Sequence, residues 1–231
     1  MEILKGDHDM TPTTQSRFFL LAVIFILSTG PNAFAAKVAD QVQAQYDSLV
    51  SFTTSFEQIL TNAGTGEQEE RTGSIFYKKP EMVRWVTDSP EKEILVVGSE
   101  YVWNYFPEEE AAYKYPAREI LSSKTMIRFI SGQADLEDDF EIENQGREDE
   151  LIKLKLVPHK PETNLVLAYI WVDDQSWMVK RILLVDFWGN GNELHLNDIQ
   201  LDVDIDRAKF EFVPPEGVEI KDNTGSLPDQ E

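Results

Sequence analysis

The sequence of 231 residues contains no cysteine. Disulfides and thiol chemistry are therefore excluded, and so is a lipid anchor attached through a cysteine. Histidine is almost as scarce, because His8, His159 and His195 stand apart from one another and form no metal-ligand spacing. We therefore predict that the protein has no metal site and no cofactor.

Catalytic motifs are missing as well. The sequence has no G-x-S-x-G, no phosphate-binding loop and no dinucleotide fingerprint. Acidic runs at residues 108–110 and 137–139 lack the spacing of a calcium loop and lie beside turns, which favours solvated surface. His195 alternates with leucines in "ELHLND", which indicates the polar face of a strand. We expect that the protein is not an enzyme.

The sequence has few cationic side chains relative to its acidic ones. There are 21 lysines and arginines against 42 acidic residues, and the formal net charge is −21. Nucleic acids and anionic membrane surfaces repel such a chain. We therefore expect neither of them as a partner.

The sequence has one long apolar run, residues 18–27, which follows Arg17. Ten residues are too few to span a bilayer as a helix. Ala33-Phe34-Ala35 has the small-x-small pattern of a signal peptidase site, so residues 1–35 are predicted to be a signal peptide. Acidic residues near the N-terminus suit such a leader poorly, and translation from Met10 would remove them.

Export would leave a mature chain that begins near Ala36. Removal of residues 1–35 takes away two cationic and three acidic side chains and leaves a net charge of −20. No linker or repeat divides the remainder, so we predict a single domain over residues 36–221 and a flexible tail over residues 222–231.

The mature chain reads as one helix followed by many strands. Val38, Val42, Tyr46 and Leu49 recur at helical spacing and predict an N-terminal amphipathic helix. Strand-like runs separated by short turns then follow, with a helical insertion within residues 117–134 that Ser122 or Ser123 could cap and Gly132 could end. The runs span residues 52–60, 72–79, 81–87, 92–98, 100–107, 110–115, 139–144, 151–158, 164–173, 177–187 and 192–203. About eleven antiparallel strands in a mainly β (α+β) fold are therefore expected.

The run "NLVLAYIWVD" (residues 164–173) is apolar on both alternating faces. A half-exposed strand would alternate with polar residues, so this strand needs cover on both faces or lines an apolar cavity. A two-layer core with packed helices would supply the first arrangement. Because one helix and one short insertion are little cover for about eleven strands, a cavity under a partial lid is the other arrangement.

Four segments taken in order identify a family. They are "SFTTSFEQ" (51–58), "GSIFYKKPEMVRW" (73–85), "ILVVGSEYVWNYFP" (94–107) and "AKFEFVPPEGVEI" (208–220). Together, behind a signal peptide, they resemble the LolA family of lipoprotein carriers of the Gram-negative periplasm. The resemblance covers about residues 37–220.

The resemblance implies an unclosed antiparallel β-barrel of eleven strands with a helical lid over an apolar cavity. It implies a periplasmic chaperone, expected to be a monomer, that takes the acyl chains of lipoproteins released by an ATP-binding-cassette complex of the inner membrane. An outer-membrane receptor of similar fold would then receive the lipoprotein. That receptor carries a lipidated cysteine, so a chain without cysteine resembles the shuttle.

Site residues follow from the resemblance. The family's latch between sheet and lid is an arginine directly before a proline; here Lys79 occupies that position, and Arg84 is a second candidate. Lid residues are expected at Met126, Ile127, Phe129 and Ile130. For Trp85, core packing and cavity lining are both open. The predicted lipid-cavity residues are Phe52, Phe56, Val83, Trp85, Leu95, Trp103 and Tyr105.

Two other functions remain open at this stage. The same fold could serve an envelope-stress regulator that binds lipid or misfolded partners as a signal. It could also carry a different lipid, such as a glycolipid. The sequence favours the lipoprotein carrier because neither an extra domain nor a membrane anchor is visible in it.

Overall fold

The computed structural model describes residues 31–117 and 125–225. Nearly all of the predicted signal peptide, Met10, both candidate capping serines and the last six residues of the predicted tail lie outside this part of the chain. The first helix, α1 (Pro31–Ser48), begins upstream of the predicted cleavage point after Ala35. Signal peptide, domain bounds and tail therefore stay predictions.

Twelve strands and three α-helices make up the described fold. After α1 come two short helices, α2 (Thr125–Ile130) and α3 (Leu136–Asp139), and a 3₁₀ helix over Arg207–Phe210 precedes the last strand. The strands are β1 (Ser51–Thr61), β2 (Gln68–Lys78), β3 (Met82–Ser89), β4 (Glu93–Val97), β5 (Tyr101–Phe106), β6 (Ala111–Pro116), β7 (Phe140–Glu148), β8 (Leu151–Pro158), β9 (Leu167–Val172), β10 (Val179–Val185), β11 (Gly191–Leu201) and β12 (Glu219–Asp222).

All strands belong to one sheet in the order β12-β6-β5-β4-β3-β2-β1-β11-β10-β9-β8-β7. Neighbours pair antiparallel, apart from β12, which pairs parallel with β6. The sheet is not closed, since β12 and β7 lie at its two ends. The prediction of an unclosed antiparallel sheet with about eleven strands is confirmed. The additional strand β12 has the sequence "EIKD", too short and too charged to show a period.

α1 covers one face of the sheet, called here the inner face. Val38, Val42, Tyr46 and Leu49 are all buried in the main core, as their spacing predicts. α1 packs against β7 and α3. Gly132 ends α2 with a positive φ of 70°, and a Cβ at this position would lie 2.6 Å from Tyr46 Cβ. The turn after α2 can therefore approach α1 closely only with glycine.

The opposite face, called the outer face, explains the apolar pattern of β9. Ile170 belongs to the inner core, whereas the neighbouring Trp171 faces outward and is still only 2% exposed. Its ring is covered by the Arg181 guanidinium at 4.0 Å and by the Lys153 ammonium at 4.7 Å. Cationic side chains thus supply the second cover that the sequence requires, through their aliphatic stems and cation–π contacts.

Acidic partners hold these cations over the tryptophan. Arg181 contacts Glu193 at 2.5 Å and Glu148 at 3.0 Å, and Lys153 contacts Glu148 at 2.7 Å. The Lys153 hydrogen bond holds the pKa of Glu148 below its usual range, against the effect of desolvation. His195 Nε2 lies 2.7 Å from Glu193 on this same face, which agrees with its predicted place on the polar side of a strand.

The C-terminal segment covers another part of the outer face. Ile205 and Phe210 pack on Met82 of β3, with Phe76 of β2 beside them. Lys78 Nζ donates to the Ile205 carbonyl at 2.5 Å. Met82 and Phe76 therefore point to the outer face, and Val83 and Tyr77, which are next to them in sequence, point to the inner face.

Candidate functional site

A cavity of about 1160 Å³ opens at one end of the inner face. The hairpin of β1 and β2, strands β3 and β4, helix α2 and the turn between β10 and β11 surround it. Its apolar wall consists of Leu60, Trp85, Leu95, Met126, Ile127 and Leu184. Ligand pockets for small molecules typically measure about 300–1,000 Å³, so this cavity is larger than a typical small-molecule pocket.

Trp85 and Leu95 line the cavity from directly paired positions of β3 and β4. The Trp85 ring packs on Phe56, with centroids 4.9 Å apart. Phe56 lies on the same inner face, as do Phe52 and Val83, but all three are fully buried in the core beside the cavity. The structure therefore brings five of the seven predicted cavity residues to one face and exposes two of them to the cavity.

Trp103 and Tyr105 lie on the outer face. Their rings pack against Phe212 of the C-terminal segment, with centroid distances of 5.4 and 5.3 Å. The register explains this correction, since Leu95 pairs with Asn104 and the residues next to Asn104 must point the other way. Large aromatic side chains suggested the cavity, but the period of two places them on the opposite face.

The predicted lid residues divide into two pairs on α2. Met126 and Ile127 line the cavity. Phe129 packs on Phe140 of β7 with a centroid distance of 5.5 Å, and Ile130 is fully buried. α2 therefore presents one side to the cavity and fixes itself to the core with the other.

Lys79 lies at the C-terminus of α1. Its ammonium group donates a hydrogen bond to the Asp47 carbonyl in the last turn of the helix, and its backbone N–H donates to the Val50 carbonyl at 2.9 Å. A cation at this end of a helix is favoured by the unpaired carbonyls and the helix dipole. The lysine thus connects the end of β2 to the helix that covers the inner face.

Arg84 lies on the outer face. Its Nη1 donates to the Lys209 carbonyl at 3.2 Å, which fastens β3 to the 3₁₀ helix. Burial lowers the pKa of this guanidinium below its ordinary value. The second candidate for the latch therefore serves the C-terminal segment, because residue 84 has the parity of Met82 and not of Val83.

The cavity also has a polar wall that the sequence did not reveal. Arg71 Nε lies 2.6 Å from Glu69, and its Nη1 lies 3.3 Å from Glu93. Beside them, Gln58 Nε2 donates to Asn192 Oδ1 at 2.8 Å. The two carboxylates neutralise Arg71, so this wall offers no unmatched cation to an anionic ligand.

Phe187 and Trp188 are the second feature that sequence reasoning missed. They occupy the turn between β10 and β11, and Trp188 is among the side chains that line the cavity. The available signal was the pair of aromatic residues in "DFWGN", where a tight turn requires only its polar residues and glycine.

Residues 31–117 and 125–225 contain neither a metal-ligand cluster nor a membrane-spanning helix. No cluster of three or more His, Asp or Glu side chains suited to a metal occurs in residues 31–117 and 125–225. None of the helices in those ranges combines the length and apolar character needed to cross a membrane.

Residues 47–213 match the family described as "Outer membrane lipoprotein carrier protein LolA". The chain belongs to this family. A relative from Methylococcus capsulatus, named an outer-membrane lipoprotein carrier protein, is 26% identical over 175 residues, which cover 75% of this chain and 82% of the relative. Another of the same name from Serratia proteamaculans is 24% identical, with coverages of 88% and 97%.

A solved structure supports the fold of this LolA family member. An uncharacterized conserved protein from Thermus thermophilus superimposes with a TM-score of 0.55 at 13% identity, over 82% of this chain and 99% of that protein. The likeness establishes the architecture alone. Family membership itself rests on the match over residues 47–213.

Proposed function

We propose that the protein is a periplasmic chaperone that binds the acyl chains of lipoproteins released from the inner membrane and delivers them to an outer-membrane receptor. The observation that carries this proposal is the cavity of about 1160 Å³ with its apolar wall beneath α2. Membership of the LolA family supports it. The protein acts without catalysis or cofactor, and its partners are an ATP-binding-cassette complex on one side and a receptor of similar fold on the other.

Acyl binding at this site draws its free energy from apolar burial. Each methylene removed from water contributes about 0.8 kcal/mol, so a long chain in contact with Trp85, Leu95 and Met126 binds strongly. A carrier must also release its cargo. Part of the binding free energy therefore has to be offset by a change within the protein.

α1 provides the element that has to change. Its apolar face lies in the same core as Phe52 and Phe56, so it occupies inner-face space next to the cavity. Displacement of α1 would open this space to further methylenes. Such displacement would break the hydrogen bond from Lys79 to Asp47, which gives Lys79 the role of a latch on the closed, empty form.

Mass spectrometry of species that co-purify with the protein from the periplasm tests the proposal. We expect triacylated lipoproteins, and fewer of them with a Leu95→Arg variant that places charge in the cavity. Val213→Arg, at an exposed position of the C-terminal segment, is the matched control and should retain them. Free lipids alone would instead support a carrier of another lipid, and an empty cavity with a stable protein partner would support a regulator.

A further inference from the structure

The turn between β10 and β11 exposes two adjacent aromatic side chains. Phe187 is 71% exposed and Trp188 is 67% exposed, and their rings meet edge to face with centroids 6.0 Å apart. Two adjacent exposed aromatic rings form a candidate binding surface, because contact of large apolar side chains with water is unfavourable.

The turn itself does not depend on these rings. Asp186 Oδ1 accepts hydrogen bonds from the backbone N–H groups of Trp188 at 2.9 Å and of Asn190 at 2.8 Å. Gly189 takes a positive φ of 85° and donates its N–H to the Asp186 carbonyl at 3.0 Å. Backbone geometry and the aspartate define the turn, so the two aromatic side chains are free for another purpose.

The turn is held in place at the mouth of the cavity. Phe187 N–H donates to the Thr163 carbonyl at 3.0 Å, and Ala63 N–H of the neighbouring hairpin turn donates to Asn190 Oδ1 at 3.0 Å. Trp188 lines the same cavity as Leu184 and Leu60. Trp188 therefore belongs both to the exposed aromatic pair and to the lining of the cavity.

Charge around the mouth selects the occupant. Glu67, Glu69, Glu93 and Asp186 all line the cavity, whereas Arg71 is the cation among its lining residues in the described chain. Together with the net charge of −21, this acidity disfavours contact with anionic headgroups. An uncharged alkyl chain is not repelled and gains contact area on both rings.

We propose that Phe187 and Trp188 form an aromatic lip that receives the acyl chain of a lipid-modified peptide before the chain passes to the cavity interior. This inference rests on the proposed carrier function and adds the port of entry. The lip shortens the period in which alkyl surface is exposed to water. Its main effect is therefore on the rate of association.

Stopped-flow fluorescence with an uncharged, dye-labelled hexadecyl chain and with a synthetic tripalmitoylated cysteinyl peptide as competitor tests the lip. The double variant Phe187→Ser with Trp188→Ser should lower the association rate constant about tenfold. Phe187→Leu with Trp188→Leu should restore most of it, since leucine keeps an apolar surface. Val213→Ser, another exposed apolar position, should leave the rate unchanged.

Each outcome decides a different claim. If wild-type protein binds neither probe, the carrier function and the lip both fail. If wild type binds and the double serine variant associates equally fast, the lip alone is refuted. Loss of binding to phosphatidylcholine vesicles with no change in the acyl association rate would instead assign the pair to a bilayer surface and overturn the inference. Thermal unfolding of each variant serves as the control for the fold.

Discussion

At the scale of single residues, Lys78 and Lys79 show how parity decides the role of a charge. Lys79 holds the C-terminus of α1, whereas Lys78 reaches the Ile205 carbonyl of the C-terminal segment. The two lysines are adjacent in sequence and fasten different parts of the molecule. Their equal charge and opposite directions make them a matched pair for mutation.

Lys79→Leu should favour the open, loaded form of the protein. Loss of a hydrogen bond worth about 1 kcal/mol in the closed form would raise the apparent affinity for acyl cargo about fivefold. Lipoprotein should accordingly remain on the carrier, which quantitative transfer to outer-membrane fractions would measure. Lys79→Arg should preserve transfer.

Lys78→Leu is the control for this latch. It removes a similar bond on the other side of β2 and should leave cargo transfer unchanged. Equal retention of lipoprotein by the Lys78 and Lys79 variants, or normal transfer by Lys79→Leu, would contradict the latch.

Arg181→Ala should destabilise the protein because it uncovers the ring of Trp171 and leaves Glu193 and Glu148 without their arginine. We expect a loss of about 1–3 kcal/mol in the free energy of unfolding. Urea unfolding followed by tryptophan fluorescence measures it. Lys155→Ala breaks an exposed pair with Glu143 and should change stability little; equal losses in both variants would contradict the covering role.

At the scale of elements, the sequence predicted the strands of the sheet better than it predicted which face each side chain points to. All eleven predicted strands are present because each is a short run, alternating or apolar on both faces, that turn residues bound. The directions of the β5 side chains were not predictable from the sequence. Trp103 and Tyr105 pair with residues of β4 that point to the outer face, and this register depends on the turn between the two strands. Arg181 and Lys153 as the cover of Trp171 also required the fold, because they belong to different strands.

The contact between α1 and the turn after α2 is predicted to depend on Gly132. Gly132→Ala would place a side chain at a positive φ and a Cβ only 2.6 Å from Tyr46 Cβ. We expect this clash to move α1 away from the turn. Gly146→Ala has a similar φ of 85° but meets nothing within 4 Å, so it reports backbone strain alone. Backbone strain lowers the free energy of unfolding by about 1 kcal/mol, and Gly132→Ala should lower it clearly more because of the added clash.

Hydrogen exchange of α1 amides distinguishes the two glycine variants. Exchange should become faster in Gly132→Ala and stay unchanged in Gly146→Ala. Unchanged protection of α1 in Gly132→Ala would show that the helix does not rely on this contact.

The turn between β10 and β11 should lose its geometry in acid. Burial opposes ionisation of Asp186, but hydrogen bonds from Asn190 and from the backbone of Trp188 and Gly189 hold its pKa below the ordinary value. Because the folded pKa is depressed, the stabilisation is complete above the ordinary pKa of about 3.9 and disappears as pH falls through the folded pKa.

Backbone amide chemical shifts of Trp188 and Asn190 measured against pH would report this transition. Asp186→Asn keeps an acceptor oxygen and removes the titration, so its amide shifts should not follow the same curve. A transition of equal size in this variant would assign the effect to another group.

At the scale of the whole molecule, the sheet separates two kinds of apolar surface. The inner face combines a core under α1 with a cavity under α2, and the outer face is closed by cations and by the C-terminal segment. A cavity was predicted both from the resemblance to the LolA family and from strands that have more apolar residues than the helices can cover. The polar wall of the cavity and the position of Trp188 at its mouth were not predictable, because Arg71, Glu93 and Trp188 come together only through the pairing of distant strands.

Photocrosslinking from Trp85 and Trp103 tests whether acyl chains bind in the cavity on the inner face. A benzoylphenylalanine at position 85 would face the cavity, and the same residue at position 103 would face Phe212 on the outer side of the sheet. After irradiation in cells, lipoprotein should be crosslinked through its acyl chains at position 85 and not at position 103. Equal yields at the two positions, or no lipoprotein at position 85, would contradict an acyl-binding cavity on the inner face.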